Sequence, residues 1–273
     1  VQLFIEKFFF YKNVEVLPLI TPSWLKDLSG AWVFYSILPK WPWPKPIFNR
    51  IARFAPFIGL IIGLLQAILW LSLNKIGWDY SSKAICSIVL GYWLTGFLHL
   101  DGLIDTADGI AAGKDKCLSA IRDSRVGASG VNTIIIIVLI QVASVIELKE
   151  FAPIALILSS TLGRISPLIA INNFNYIHEN STSIKHRDNW KGIKNEIIPT
   201  MILILSTLIS ICLFTNQTIK NGMLLILAVG ILLSVIVPNL ISKKIGGYSG
   251  DTLGASVVTT ETFILLFSAL ILT

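Results

Sequence analysis

The chain has 273 residues, 54% of them hydrophobic and only 14% charged, at a mean hydropathy of +0.74. A water-soluble domain of this size must show water more polar surface than that composition supplies, so lipid is the expected solvent. The net charge of +6 is small and in a membrane chain reports loop orientation, so nucleic-acid binding is not expected.

Residues 1–20 mix Glu6, Lys7, Lys12 and Glu15 with short apolar stretches and carry no long apolar core or small-residue cleavage site. A secretory signal is therefore not expected there. We treat 1–27 as an N-terminal extension and 28–273 as one membrane-embedded domain. The apolar stretch 28–39 is too short to span and predicts an interfacial or re-entrant helix. It ends at Pro39, Pro42 and Pro44, where Trp41 and Trp43 suit a headgroup-level belt. Seven apolar runs then follow, near 54–74, 84–100, 131–146, 151–171, 197–214, 222–241 and 255–273. At about 1.5 Å per residue each is long enough, or nearly so, for a hydrocarbon core of roughly 30 Å. The fold class is thus an all-α polytopic bundle of about seven transmembrane helices. Cys86, Cys117 and Cys212 are scattered without C-x-x-C spacing and read as small core residues.

Basic residues alternate between the loops. Lys40, Lys45, Arg50 and Arg53 precede the first run, Lys75 and Lys83 follow it, and Lys114, Lys116, Arg122 and Arg125 come next. Lys149 stands alone; then come Lys185, Arg187, Lys191 and Lys194, then Lys220, then Lys243 and Lys244. The alternation predicts a cytoplasmic N-terminus and an outer C-terminus. It also puts every loop with unusual chemistry, 39–53, 99–130, 172–196 and 242–254, on the cytoplasmic side.

The second run ends in His99-Leu-Asp101-Gly-Leu-Ile-Asp105-Thr-Ala-Asp108-Gly109. On a helix, Asp101, Asp105 and Asp108 fall within an arc of about 60°. Each carboxylate costs about 2.5–3.5 kcal/mol if carried deep into lipid, and no Lys or Arg shares those two turns. A divalent cation with oxygen preference, Mg²⁺ above all, would neutralise them. The alternative is a polar helix end in headgroup water. His99 falls on the opposite face, as a general base or as a satisfied interfacial histidine.

Arg122-Asp123-Ser124-Arg125, followed by Gly127 and Gly130 at the opening of the third run, suits a phosphate or pyrophosphate; an ordinary basic loop is the plainer reading. Gly246-Gly247-Tyr248-Ser249-Gly250-Asp251 leads into the last run, where a glycine-rich turn can cradle oxyanions and Asp251 present another metal ligand. It lacks the Lys-Ser/Thr ending of a Walker A loop. Glu261 inside the last run and Arg164 inside the fourth are intramembrane charges; Arg164 pairs with an acid such as Glu261 or contacts substrate. Loop 172–196 adds His178, Lys185, His186, Arg187 and Trp190, a phosphate clamp or simply positive-inside charge.

Arg53-Phe-Ala-Pro-Phe-Ile-Gly59, the His99–Gly109 run, Asp123-Ser-Arg-Val-Gly127 and Gly247-Tyr-Ser-Gly-Asp-Thr-Leu-Gly-Ala255 occur in one order. Together they resemble the adenosylcobinamide-GDP ribazoletransferase (cobalamin synthase) family, over roughly residue 28 to the C-terminus. The resemblance implies a Mg²⁺-dependent transferase of the inner membrane with its site facing the cytoplasm. It would join adenosylcobinamide-GDP to α-ribazole or its 5′-phosphate and release GMP. It implies Asp101, Asp105 and Asp108 as metal ligands, with Arg125 and Asp251 nearby; Glu261, as an intramembrane acid, is a further ligand candidate. Arg122, Asp123, Arg125, Gly247, Gly250 and Arg164 are the substrate-binding candidates; Asp105 or Asp108, with His99 as a lesser candidate, would move the hydroxyl proton. The implied partners are these small molecules and membrane lipid, with self-association and docking of other corrinoid enzymes left open. A CDP-alcohol phosphotransferase would need Asp-Gly-x-x-Ala-Arg, whereas here Asp105-Thr106 follow, and Asp115 and Ser119 stand at the later positions. Prenyltransferases carry two aspartate motifs. A secondary transporter would show an internal repeat.

Overall fold

The computed structural model describes residues 21–40, 44–177, 189–214 and 217–272. The expected tryptophan belt at Trp41 and Trp43, and the side chains of His178, Lys185, His186 and Arg187, lie outside the described residues. The described chain is helical, with one isolated parallel bridge, between Tyr176 and Tyr248. Four helical stretches are long and apolar enough to cross a bilayer, namely Ile51–Lys75, Ala128–Asn173, Lys220–Ile245 and Gly250–Leu272; a bent pair, Tyr80–Leu94 with Leu98–Ala111, makes a fifth if counted as one span. This integral membrane architecture answers the composition.

Helix α1, Ser23–Tyr35, covers the stretch expected to be interfacial. Its Leu28, Ala31 and Tyr35 pack on the 3-10 turn Ile51–Phe54 and on Ile58 and Ile62 of α2, Ala55–Lys75. The proline segment closes back on it. Ser29 donates to the Pro44 carbonyl at 3.0 Å, and Trp32 Nε1 to that of Pro39 at 2.9 Å. Helix α3, Tyr80–Leu94, starts where the Asp79 carboxylate accepts the Ser82 N–H at 3.0 Å, satisfying an otherwise orphan donor. Helix α4, Leu98–Ala111, and the short α5, Cys117–Ile121, precede α6, Ala128–Leu148.

Lys149, at φ 47°, breaks the chain between α6 and α7, Ala152–Gly163. The fourth apolar run, expected as one helix over 151–171, is two: α7 stops at Arg164 and α8, Ser166–Asn173, begins with Pro167 in its first turn. Proline has no N–H to donate back across the break and fits a first turn, so the interruption is written locally. The short α9, Ile193–Glu196, leads to α10, Ile198–Phe214, α11, Gln217–Ile245, and α12, Gly250–Leu272.

Helices α2 and α7 make the most extensive contact because Gly59 and Gly63 let α2 lie against the backbone of Ser160 and Ile157. Association in lipid depends on such close backbone approach, because apolar contact alone gains nothing over lipid tails. Helix α12 is central. It touches α4, α6, α7, α8 and α11 and buries small residues on all sides, including Gly254, Ala255, Ser256 and Ser268. Three of its hydroxyls donate within the helix, Ser256 to the Thr252 carbonyl, Thr262 to Val258 and Ser268 to Ile264, each at 2.7 Å, and Thr260 pairs with Ser166 of α8 at 2.9 Å. Helices α10 and α11 sit outside, presenting Ile202, Leu205, Leu213, Leu232 and Leu240 to the surroundings, as lipid-facing helices do. Cys117 is buried, but Cys212 is exposed on this outer layer, contrary to its reading as a core residue.

Candidate active site

The site begins at a corner. The second run was expected to pass straight into the aspartate motif, but Gly96 (φ 60°) and Phe97 (φ 61°) are both left-handed, and the chain turns by 89° between α3 and α4. A right-handed helix cannot continue through two such residues. Helix α4 is thereby redirected, burying His99, Leu100, Gly102, Leu103, Thr106 and Gly109 on one side. Asp101 is exposed and Asp105 and Asp108 are half-buried on the other.

Gly102 lies against the backbone of Asp251, where a Cβ would come within 2.6 Å of the Asp251 carbonyl oxygen. This close approach joins the motif to the start of α12. Asp101, Asp251 and Asp108 all press negative charge on Asp105. The three ion pairs found among the described residues go elsewhere, to Glu196, Asp123 and Glu261. No group of three or more His, Cys, Asp or Glu side chains among the described residues converges tightly enough to hold an ion by itself.

Asp108 has a partner of its own. Its Oδ2 accepts the Gly127 N–H and its Oδ1 the Gly130 N–H, both at 2.7 Å. These are orphan donors at the N-terminus of α6, and a carboxylate there is favoured by charge as well as by hydrogen bonding. The helix end that the sequence reserves for phosphate is thus filled by a side chain of the protein. Asp108, expected among the metal ligands and bases, pins α4 to α6.

The glycine-rich turn is a built element. Tyr248 N–H donates to the Asn175 carbonyl and Ile177 N–H to that of Tyr248, both at 3.0 Å, with Tyr248 stacked edge-on against Tyr176 at 5.3 Å. Ser249 and Thr252 cap α12 reciprocally, Thr252 Oγ1 accepting the Ser249 N–H at 2.8 Å and Ser249 Oγ the Thr252 N–H at 3.3 Å. Gly247 is buried against Asn175 and Ile177, so its expected contact with substrate gives way to packing; Gly250 is exposed. Asp251 sits in the first turn of α12, where its charge suits the helix dipole.

Arg125 clasps Asp123 through Nε at 3.0 Å and Nη2 at 2.6 Å, and the clasp holds the Asp123 carboxyl down at about 2. Both are in the exposed α5–α6 loop; Asp123 is therefore engaged with Arg125. Arg164 and Glu261 pair at 2.5 Å. Glu261 lies ten residues, about 15 Å along α12, from Asp251 and is withdrawn from the carboxylate cluster. His99 is buried with that pair, behind the aspartate stripe, as its opposite helix face dictates. Neither His99 nor Glu261 reaches the aspartates, because the periodicity of α4 and the length of α12 carry them away.

Two features escaped the sequence reading. Gln66 and Gln141 each interrupt an apolar run, and that interruption was the available signal. A second cluster joins α1 to α9: Glu196, 1% exposed, takes Arg50 Nη2 at 2.6 Å, while burial pushes the Asp27 carboxyl up against the pull of Arg50 and Arg53. Arg50–Glu196, Tyr248–Asn175 and Gly102–Asp251 together bring the loops 39–53, 99–130, 172–196 and 242–254 to one end of the bundle.

Known proteins similar to this chain identify its family. The family described as cobalamin-5-phosphate synthase matches residues 27–269. Proteins of two Prochlorococcus marinus strains, MIT 9303 and MIT 9313, each named adenosylcobinamide-GDP ribazoletransferase, are 46% identical over 259 and 254 residues, covering 92% of this chain and 98% of theirs. One of the same name from Trichormus variabilis is 30% identical over 247 residues, 88% of this chain and 95% of its own. No solved structure matches. With a match that takes in the aspartate helix, the Asp108 pin and the capped start of α12, the chain belongs to the cobalamin-5-phosphate synthase family.

Proposed function

We propose that this chain is the Mg²⁺-dependent transferase that joins α-ribazole, or its 5′-phosphate, to adenosylcobinamide-GDP and releases GMP. The family and the names of the relatives support the activity. The observation that carries the site is the close approach of Gly102, between Asp101 and Asp105, to the backbone of Asp251, which brings the Asp251 charge to bear on Asp105.

Mg²⁺ keeps several waters and takes one or two carboxylates plus substrate phosphates, so an open group of aspartates suits it better than a closed cage. Asp101, Asp105 and Asp251 would hold it. Bound there, the ion would neutralise pyrophosphate oxygens and the charge that develops on the leaving phosphate. Phosphoryl transfer otherwise depends on positioning and charge. Asp105, half-buried among like charges, would, when freed from the ion, accept the proton of the attacking ribose hydroxyl, one that a 5′-phosphate leaves free, as that oxygen bonds to the phosphorus attached to cobinamide and GMP departs. Arg125 engages Asp123 through Nε and Nη2, and its Nη1 donors would serve a phosphate, with the positive charge of Arg122 in the same loop. Asp108 and Gly102 hold α4 in place.

Seven crossings fit the helices. Ala128–Asn173, at 46 residues, is about 69 Å long, more than twice a hydrocarbon core, and the turn at Lys149 divides it in two. With α2, α3, α10, α11 and α12 that would make seven, and the positive-inside preference of Lys114, Lys116, Lys243 and Lys244 supports a cytoplasmic side, at the plasma membrane, for the carboxylate site and the N-terminus.

Detergent-purified protein, given adenosylcobinamide-GDP, α-ribazole and Mg²⁺, should release GMP and form the complete corrinoid. Chelation of divalent ions should stop it and Mg²⁺ restore it. No GMP under any divalent ion refutes the activity; full turnover in chelator refutes the metal.

A further inference from the structure

On the far side of α4 from the aspartates, the bundle holds a partly open cavity of about 20 Å³. Its walls are polar although it lies among apolar helices: Gln66 of α2, His99 of α4, Gln141 of α6, Ser160 and Arg164 at the end of α7, and Glu261 of α12. Polar groups buried in a bundle must find partners inside it. Most do. Arg164 Nη1 donates to Glu261 Oε1 at 2.5 Å and to the Ser160 carbonyl at 2.7 Å. Ser160 Oγ donates to Gln66 Oε1 at 3.0 Å, and Gln66 Nε2 to the Ser87 carbonyl at 2.9 Å. Tyr92 donates to Gln141 Oε1 and Gln141 Nε2 to Thr262 Oγ1, at 2.5 and 2.8 Å.

Two atoms on the cavity wall are left over. Arg164 Nε and His99 Nε2 are buried without a protein partner, on side chains whose residues are 2% and 6% exposed. An arginine Nε–H only donates, so it needs an acceptor. A neutral imidazole offers one acceptor nitrogen and one donor. A single small molecule that accepts from one and donates to the other would satisfy both. Water requires about 10–15 Å³ of such space and two to four polar partners, and the cavity provides both.

We propose that this cavity is a binding site for one structural water. The water accepts the Arg164 Nε–H, donates one proton to His99 Nε2 and has the Glu261 carboxylate on the same wall for its second proton. The ring is then the tautomer protonated at Nδ1. The water ties α4 to α7 and α12 from behind, opposite the face that carries Asp101 and Asp105. His99 is thus a positioning residue held through solvent, and the proposal stands whatever reaction the aspartates perform.

The test uses the full chain in lipid bilayers with His178→Gln and His186→Gln, leaving His99 as the sole histidine of three. With ¹⁵N-labelled histidine, solid-state NMR should show a protonated Nδ1, an unprotonated Nε2, and magnetisation passing from water to the ring. A ring protonated at Nε2, or one receiving nothing from water, overturns the proposal. Thermal unfolding gives a second arm. His99→Gln keeps an acceptor near the Nε2 position and should unfold close to the parent temperature, whereas His99→Phe removes the acceptor and should unfold several degrees lower. A Phe variant as stable as the Gln variant also overturns it.

Discussion

Replacing Asp108 separates a pin from a ligand. In Asp108→Ala the N–H groups of Gly127 and Gly130 lose their 2.7 Å acceptors at the half-buried N-terminus of α6. A hydrogen bond to a charged acceptor contributes about 1.5–3 kcal/mol and a helix cap about 0.5–2 kcal/mol, so the two bonds together, being non-additive, should be worth about 2–4 kcal/mol. Asp108→Asn keeps one oxygen but turns an NH₂ toward a donor, and should lose about 1–2 kcal/mol. The expected order of stability is therefore parent, then Asn, then Ala. Unfolding midpoints in mild detergent measure that order. Amide exchange at Gly127 and Gly130 should quicken in the Ala variant, by roughly a hundredfold for a loss near 3 kcal/mol if exchange follows opening of this contact. An Ala variant with parental midpoint and exchange but no turnover would refute the reasoning, and would return Asp108 to the reacting centre.

Asp105→Asn should show the reverse pattern, with GMP release lost and the unfolding midpoint kept, since its like-charged neighbours are relieved; an active Asp105→Asn sinks the assigned role. In Gly102→Ala the new Cβ meets the Asp251 carbonyl at 2.6 Å, so α4 or α12 must shift. Displacement of this order at a reacting centre costs about a hundredfold in rate, read as GMP release per folded protein. Arg50→Met strands Glu196, 1% exposed, and breaking such a buried pair costs about 3–5 kcal/mol. Thermal unfolding should show that loss, and Arg50→Met combined with Glu196→Leu should recover most of it; an unchanged midpoint in the single variant contradicts the pairing.

The aspartate stripe, the glycine-rich turn leading into α12 and the Arg164–Glu261 pair were legible because each rests on local spacing or on a charge conspicuous in an apolar run. Helical periodicity also placed His99 opposite the aspartates. The corner at Gly96–Phe97 was not legible. Glycine hints at a turn, but a phenylalanine at positive φ is imposed by its surroundings, and it converts the expected straight helix into two. Pro167 did signal the break after Arg164, yet continuous hydropathy across 151–171 outweighed it. The capture of the α6 N-terminus by Asp108 was hidden for another reason. A carboxylate and a run of small residues at a helix start each suggest a ligand when considered apart, and only the packing of α4 on α6 reveals that they satisfy each other.

The junction of Gly102 with Asp251 sets an order on biogenesis. Most of the motif-bearing loops emerge early from the ribosome, and the Asp108 contact closes over about twenty residues, so it forms soon after α6 is threaded into the bilayer. The remaining carboxylate arrives only with the final segment, which is also the one at the middle of the bundle. A nascent chain arrested before residue 250 would therefore hold its early helices in the membrane without the helix they pack around and without Asp251. If Asp251 serves as proposed, the activity would require the segment 250–272 to be made and inserted.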